Sequence, residues 1–115
     1  MSEKTLIMYG LRKCSTCQKA EAALRDAGWA VDFVDVRDTP LAKDQLDQML
    51  ADYGDKLVNR ASLTWRGMSD AERAADPVTQ IMNKPSLMKR PAIAAGDLRL
   101  LGWTANVKRA LGVAA

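Results

Sequence analysis

A chain of 115 residues with 48% hydrophobic content fits one domain with a real core. Its 17 Lys and Arg outnumber 14 Asp and Glu for a net charge of +3; these cations are scattered, so no basic stripe points to nucleic acid. No apolar run approaches the ~18 residues of a membrane span, and the polar start Met1-Ser2-Glu3-Lys4-Thr5 lacks a signal peptide's apolar core, so the expected compartment is the cytosol.

Leu6-Ile7-Met8 is a short continuous apolar run, and a buried parallel strand is expected over Thr5–Tyr9. A helix follows from about Ser15 to Ala27, with Gly28 as its stop. Ala30–Val36 alternates β-branched and aromatic residues with aspartates and reads as a second strand. Strand, helix and strand within about 30 residues make a right-handed unit with parallel strands. Thr39-Pro40 is expected to cap the next helix, whose Leu46, Met49, Leu50 and Tyr53 face a core and which ends at Gly54. Lys56–Arg60 reads as a connector. Ser69-Asp70-Ala71-Glu72 is a capping box before a short helix. Asp76-Pro77 opens another, with Val78, Ile81 and Met82 inward. A third strand is expected over Lys89–Ala95, with Pro91 at its start, where it removes no ladder bond. Gly96-Asp97 turns the chain into a fourth strand, Leu98–Leu101, as an antiparallel hairpin. Thr104 caps a last helix with Val107, Ala110 and Leu111 on one face. The order predicts an α/β fold, a mixed four-stranded sheet with helices on both faces.

Chemistry concentrates where the first strand meets the first helix. Gly10 breaks the strand, Arg12 and Lys13 follow, and Cys14-x-x-Cys17 opens the helix. Only the thiolate is a good nucleophile. A helix start presents unpaired N–H groups, and the two cations add positive charge, so the Cys14 thiol is expected to be more acidic than a free one. Cys17, one turn on, can attack a mixed disulfide formed at Cys14. It also lies on an apolar stripe with Ala20, Leu24 and Ala27, so core packing competes with that resolving role. A closed zinc site is not expected, since the chain has no His and no third Cys. Arg12 and Lys13 read equally well as solvated loop charges, and Arg90 as a solvated cation at a strand edge.

The element order, with Cys-x-x-Cys after the first strand and proline opening the third, resembles a thioredoxin-like fold with a helical insertion over about 40–85. Further details narrow it: Tyr9 before Cys14, Leu57-Val58-Asn59-Arg60 followed by Thr64-Trp65-Arg66, Pro85-Ser86-Leu87-Met88-Lys89-Arg90-Pro91, and Leu101-Gly102-Trp103. Together these resemble the arsenate reductase (ArsC)/Spx family, and most of all its YffB-type members, over nearly the whole chain.

The resemblance implies a thiol-dependent reductase in which Cys14 attacks the substrate. Glutathione is the implied reductant and co-substrate, with no bound cofactor and no metal. The implied partners are small thiols and protein disulfides, and the implied state is a monomer. Arg90 would stabilise the thiolate or bind an oxyanion, and Pro91 matches the cis-proline that faces the cysteine. Of the three oxyanion-holding arginines in arsenate reductases, Arg90 matches one. The second falls at Asn59, beside Arg60, and the third at Trp103. A histidine four residues before the nucleophile is replaced by Gly10. These departures weigh against arsenate and toward thiol or disulfide substrates. Arg12, Lys13, Asn59, Arg60 and Pro91 are the expected substrate contacts, with Arg66 and Trp65 weaker candidates. The alternative is an Spx-like regulator that binds RNA polymerase, with Cys14 and Cys17 as its redox switch.

Overall fold

Alternation along the first strand decides how the sheet is covered. In the computed structural model, which describes residues 4–114, β1 (Thr5–Gly10) buries Leu6, Met8 and Gly10 while Ile7 and Tyr9 point the other way, half-buried. β1 runs parallel to β2 (Ala30–Asp35), with Leu6 opposite Val31 and Met8 opposite Phe33. It is antiparallel to β3 (Ala92–Ala95), which forms a hairpin with β4 (Leu98–Leu101). The sheet order is β2-β1-β3-β4. Gly96 takes a positive φ of 56° in the hairpin turn, a conformation other residues rarely adopt.

The chain divides into two compact units, one made of the residues up to Asp35 and from Arg90 onward, the other Val36–Lys89. In the first, α1 (Ser15–Asp26) and α6 (Ala105–Ala110) are brought to the sheet by their apolar stripes. Ala20, Leu24, Val107 and Leu111 join Leu6, Met8, Val31, Ile93 and Ala95 in one buried cluster. Those strand residues share a face by register, so both helices of this unit cover the same side of the sheet. Burying each of the Leu, Met, Val and Ile side chains among them contributes roughly 1.5–3 kcal/mol. A parallel strand-helix-strand half, an antiparallel hairpin and a closing helix make a thioredoxin-like fold.

The second unit is helical, and the stretch expected as an insertion falls inside it. It holds α2 (Lys43–Tyr53), α3 (Leu63–Arg66), α4 (Asp70–Ala74) and α5 (Pro77–Asn83), with single 3₁₀ turns at Asp55–Leu57 and Pro85–Leu87. α2 packs against α5. Leu57–Asn59 pairs with Leu87–Lys89 through Asn59 N–H to Leu87 O at 2.9 Å and Lys89 N–H to Leu57 O at 2.7 Å.

Several expected boundaries are corrected. α2 starts at Lys43, not at Pro40, because Gln45 reaches back to accept from the Ala42 N–H at 3.0 Å while Leu41 is buried in the extended lead-in. α3 lies past the expected connector, where no element is expected from the sequence, and is started by Ser62, whose hydroxyl accepts from Trp65 N–H at 3.1 Å. Met82 and Ala110 are exposed rather than inward. The third strand begins at Ala92, after the proline, and the second ends at Asp35. The capping box at Ser69 and Glu72 closes in both directions, at 2.9 and 3.2 Å. Among the described residues, no helix is long and apolar enough to cross a membrane.

Candidate active site

A tight turn carries the chain from β1 into α1. Cys14 N–H donates to Leu11 O at 3.0 Å, Arg12 N–H donates to the Asp35 carboxylate at 2.8 Å, and Gln18 Nε2 donates to Arg12 O at 2.7 Å. These bonds set Cys14 at the N-cap of α1, with extended backbone, half-buried. Its side chain closes no cap hydrogen bond there. Burial pushes its thiol up, but the Cys17 N–H, the Cys17 thiol, the Arg90 charge and the Thr16 N–H together outweigh burial. The net result is a thiol held below its ordinary value.

Cys17 behaves oppositely. It is fully buried on the same face as Ala20 and Leu24. Burial pushes its thiol up; the Leu11 backbone opposes this, while the bond to Cys14 and the Cys14 charge add to it, and Arg90 pulls it down. The balance lies at about 11, so the two thiols are pushed in opposite directions, Cys17 up and Cys14 down. Both cysteines are free thiols. Two like thiols so close titrate as a pair, and the first proton lost belongs mainly to Cys14.

Arg90 and Pro91 join the cysteines in the same unit. The Arg90–Pro91 peptide bond is cis, as the resemblance implied, and Pro91 is buried with its carbonyl accepting from Gly102 N–H at 2.9 Å. Among charged groups, Arg90 acts most on Cys14. Proximity in sequence gives that influence first to Arg12 and Lys13, and this is corrected. The Arg12 guanidinium stacks on Phe33, 4.4 Å from the ring centre, and lies 3.8 Å from Glu21, while Lys13 is exposed. Charge near the cysteine thus comes from a residue distant in sequence, which spacing alone could not rank.

The remaining candidates lie in the other unit or in the core. Asn59 uses its side-chain oxygen to accept from Ala61 N–H at 3.2 Å, holding its own turn. Arg60 makes a two-pronged pair with Asp55, both contacts at 3.0 Å, and stacks 5.3 Å from the Trp65 ring centre. Arg73 approaches the same ring at 5.9 Å. Trp103 packs against the sheet cluster with Lys108 over its ring. Sequence reasoning missed one contributor, Gly10. A Cβ there would lie 2.6 Å from the Cys17 sulfur. The signal was present as a glycine ending a buried strand.

Comparison with known proteins agrees with this geometry. A solved structure titled YffB is 27% identical, covering 92% of this chain and 97% of that one with a TM-score of 0.81. An arsenate reductase (ArsC) related protein from Brucella melitensis is 26% identical, over 95% and 96%, with a TM-score of 0.74. A protein from Streptococcus mutans, titled a possible arsenate reductase, is 25% identical over 88% and 92%, with a TM-score of 0.68. No curated protein gives a significant match. The family model for ArsC matches residues 9–111, a span that takes in the cysteine pair, Arg90 and Pro91 alike, and the chain belongs to the ArsC family.

Proposed function

We propose that the protein is a thiol-dependent reductase that exchanges thiols and disulfides with glutathione, with Cys14 as its nucleophile. The observation that carries this reading is the half-buried Cys14 at the α1 N-cap, its thiol held below the ordinary value beside Arg90. The Cys14 thiolate attacks one sulfur of a substrate disulfide. A mixed disulfide forms at Cys14, the substrate S–S bond breaks, and the departing thiolate takes a proton from water. Cys17 then attacks the Cys14 sulfur, giving an internal disulfide and releasing the second substrate thiol. Two molecules of glutathione reduce that internal disulfide, returning both thiols and leaving as oxidised glutathione, so two electrons pass from glutathione to the substrate. The Arg90 guanidinium holds the substrate carboxylate or the developing thiolate. The enzyme works as a monomer in a reducing cytosol, on small thiols or protein disulfides.

Arsenate is the less favoured substrate. Its strong hydration must be offset by charged donors, and Asn59 and Trp103 stand where two of the arginines would. Arsenite release and Cys14 glutathionylation, followed side by side by mass spectrometry, test the reading. Glutathionylation with little arsenite is expected, and robust arsenite release abolished by Cys14→Ser would overturn it. The buried Cys17 thiol beside Cys14 favours a second reading, an Spx-like redox switch. Capture of RNA polymerase by the oxidised protein, through the carboxy-terminal domain of the polymerase α chain, would support that instead.

A further inference from the structure

The last residue of β1 and the first turn of α1 compete for one volume. Leu6, Met8 and Gly10 point from β1 toward the face that α1 covers with Cys17, Ala20 and Leu24. At the first two positions a side chain fills that space. At the third a sulfur does, because a Cβ on Gly10 would stand 2.6 Å from Cys17 Sγ and 3.4 Å from its Cβ, with Phe33 closing the other side at 3.5 Å. Carbon atoms in favourable contact lie roughly 3.5–4.0 Å apart, and sulfur is larger. Gly10 does not have a positive φ, so backbone conformation does not demand the glycine. The Cys17 sulfur alone does.

We propose that Gly10 is the positioning residue for Cys17: its bare α-carbon is the seat in which the Cys17 sulfur rests, and any side chain there pushes that sulfur away from its line of attack on Cys14. The inference rests on the reading of Cys14 and Cys17 as an exchanging pair. In the step concerned, the Cys17 thiol gives up its proton and its sulfur bonds to the Cys14 sulfur. The bond from Cys14 to the bound thiol breaks, and that thiol leaves as a thiolate, which the proton neutralises. The two electrons leave with the released thiol and Cys17 is oxidised, so no outside oxidant is needed. Cys14 keeps its own anchor, its N–H to Leu11 O, together with the Arg90 charge and the Cys17 and Thr16 N–H groups, and loses only the hydrogen bond from the Cys17 thiol. A side chain at position 10 therefore acts on the second step far more than on the first.

The test forms the Cys14–glutathione disulfide on reduced protein and follows its conversion to the internal disulfide by quenched mass spectrometry. A misplacement near an ångström can cost up to about a hundredfold in rate. Gly10→Ala should therefore slow resolution by at least about tenfold, while iodoacetamide alkylation of Cys14 at neutral pH changes by less than about threefold. Resolution at the native rate in folded Gly10→Ala would overturn the proposal. If Gly10→Ala does not fold, Gly10→Ala with Cys17→Ala decides. Recovery of folding in the double variant supports the shared seat, and continued failure to fold refutes it. Native protein that never forms the internal disulfide would defeat the proposed function instead. The same pair of variants, compared by denaturant unfolding, would still report on the seat.

Discussion

The start of α1 and the helix starts of the second unit have the same backbone task and solve it differently. Ser62, Ser69 and Asp76 each turn a side-chain oxygen onto an N–H of their helix. Cys14 occupies the equivalent place without closing such a bond. An N-cap hydrogen bond contributes about 0.5–2 kcal/mol, and forgoing it leaves the first-turn N–H groups of Thr16 and Cys17 to favour a thiolate. At those three starts, polar capacity is used up locally. At Cys14 the first-turn N–H groups are left to the thiol, an arrangement that the proposed exchange chemistry would use.

Cys14→Ser breaks the comparison most directly. Reaction with oxidised glutathione should fall to background, since a serine hydroxyl supplies no comparable nucleophile at neutral pH. The same change installs a good cap, so denaturant unfolding should show a gain of about 0.5–1 kcal/mol. A loss of stability would mean that the α1 cap was already satisfied.

Cys17 gives the next largest effect, and its sign is set by burial. Its folded value, about 11, lies above the ordinary 9.0. The group therefore stabilises the fold fully below pH 9, and that contribution is lost as pH rises through 11. Two units correspond to roughly 2–3 kcal/mol. Unfolding followed from about pH 8 to about pH 11, native against Cys17→Ala, should show the native protein losing this much more. Parallel curves would show that Cys17 ionises as freely when folded as when unfolded.

Arg90→Ala sharpens the contrast between near and distant charge. The Cys14 alkylation midpoint should move up, and the rate at neutral pH should drop several-fold, up to about tenfold. Arg12→Ala and Lys13→Ala should each have a smaller effect, since Arg12 is engaged with Phe33 and Glu21. An equal effect from all three would restore the local cations to the role that sequence proximity suggests.

Legibility followed the range of the forces involved. The Ser69-Glu72 box and the Asp76-Pro77 start were readable because their partners lie three residues away. Strand alternation around Leu6 and Met8 was readable because period two fixes the face. Thr39-Pro40 misled, because the signal that prevailed was Gln45 reaching back to Ala42. α3 has four residues, too few for any period to show. Cys14 could be named from the chain, but its acidity depends on Arg90 and its second thiol on the space at Gly10, both products of tertiary packing.

Arg60 provides the smallest effect and the sharpest control. Sequence reading makes it a substrate contact because it stands beside Asn59 in a stretch that resembles the oxyanion-holding one. Its guanidinium is instead spread across the Asp55 carboxylate and the face of Trp65. An exposed ion pair contributes about 0.2–1 kcal/mol, and an exposed cation–π contact about 0.5–1 kcal/mol. The two share one side chain and do not add in full. Arg60→Ala should therefore cost about 1 kcal/mol in denaturant unfolding, and Asp55→Ala a similar amount or less. Neither should change the Cys14 alkylation rate or the Michaelis constant for a glutathione-containing disulfide. If Arg60→Ala raises that constant severalfold while Asp55→Ala leaves it alone, the guanidinium leaves its partner to bind substrate, and the division between an open first helix start and a self-satisfied second unit fails at this residue.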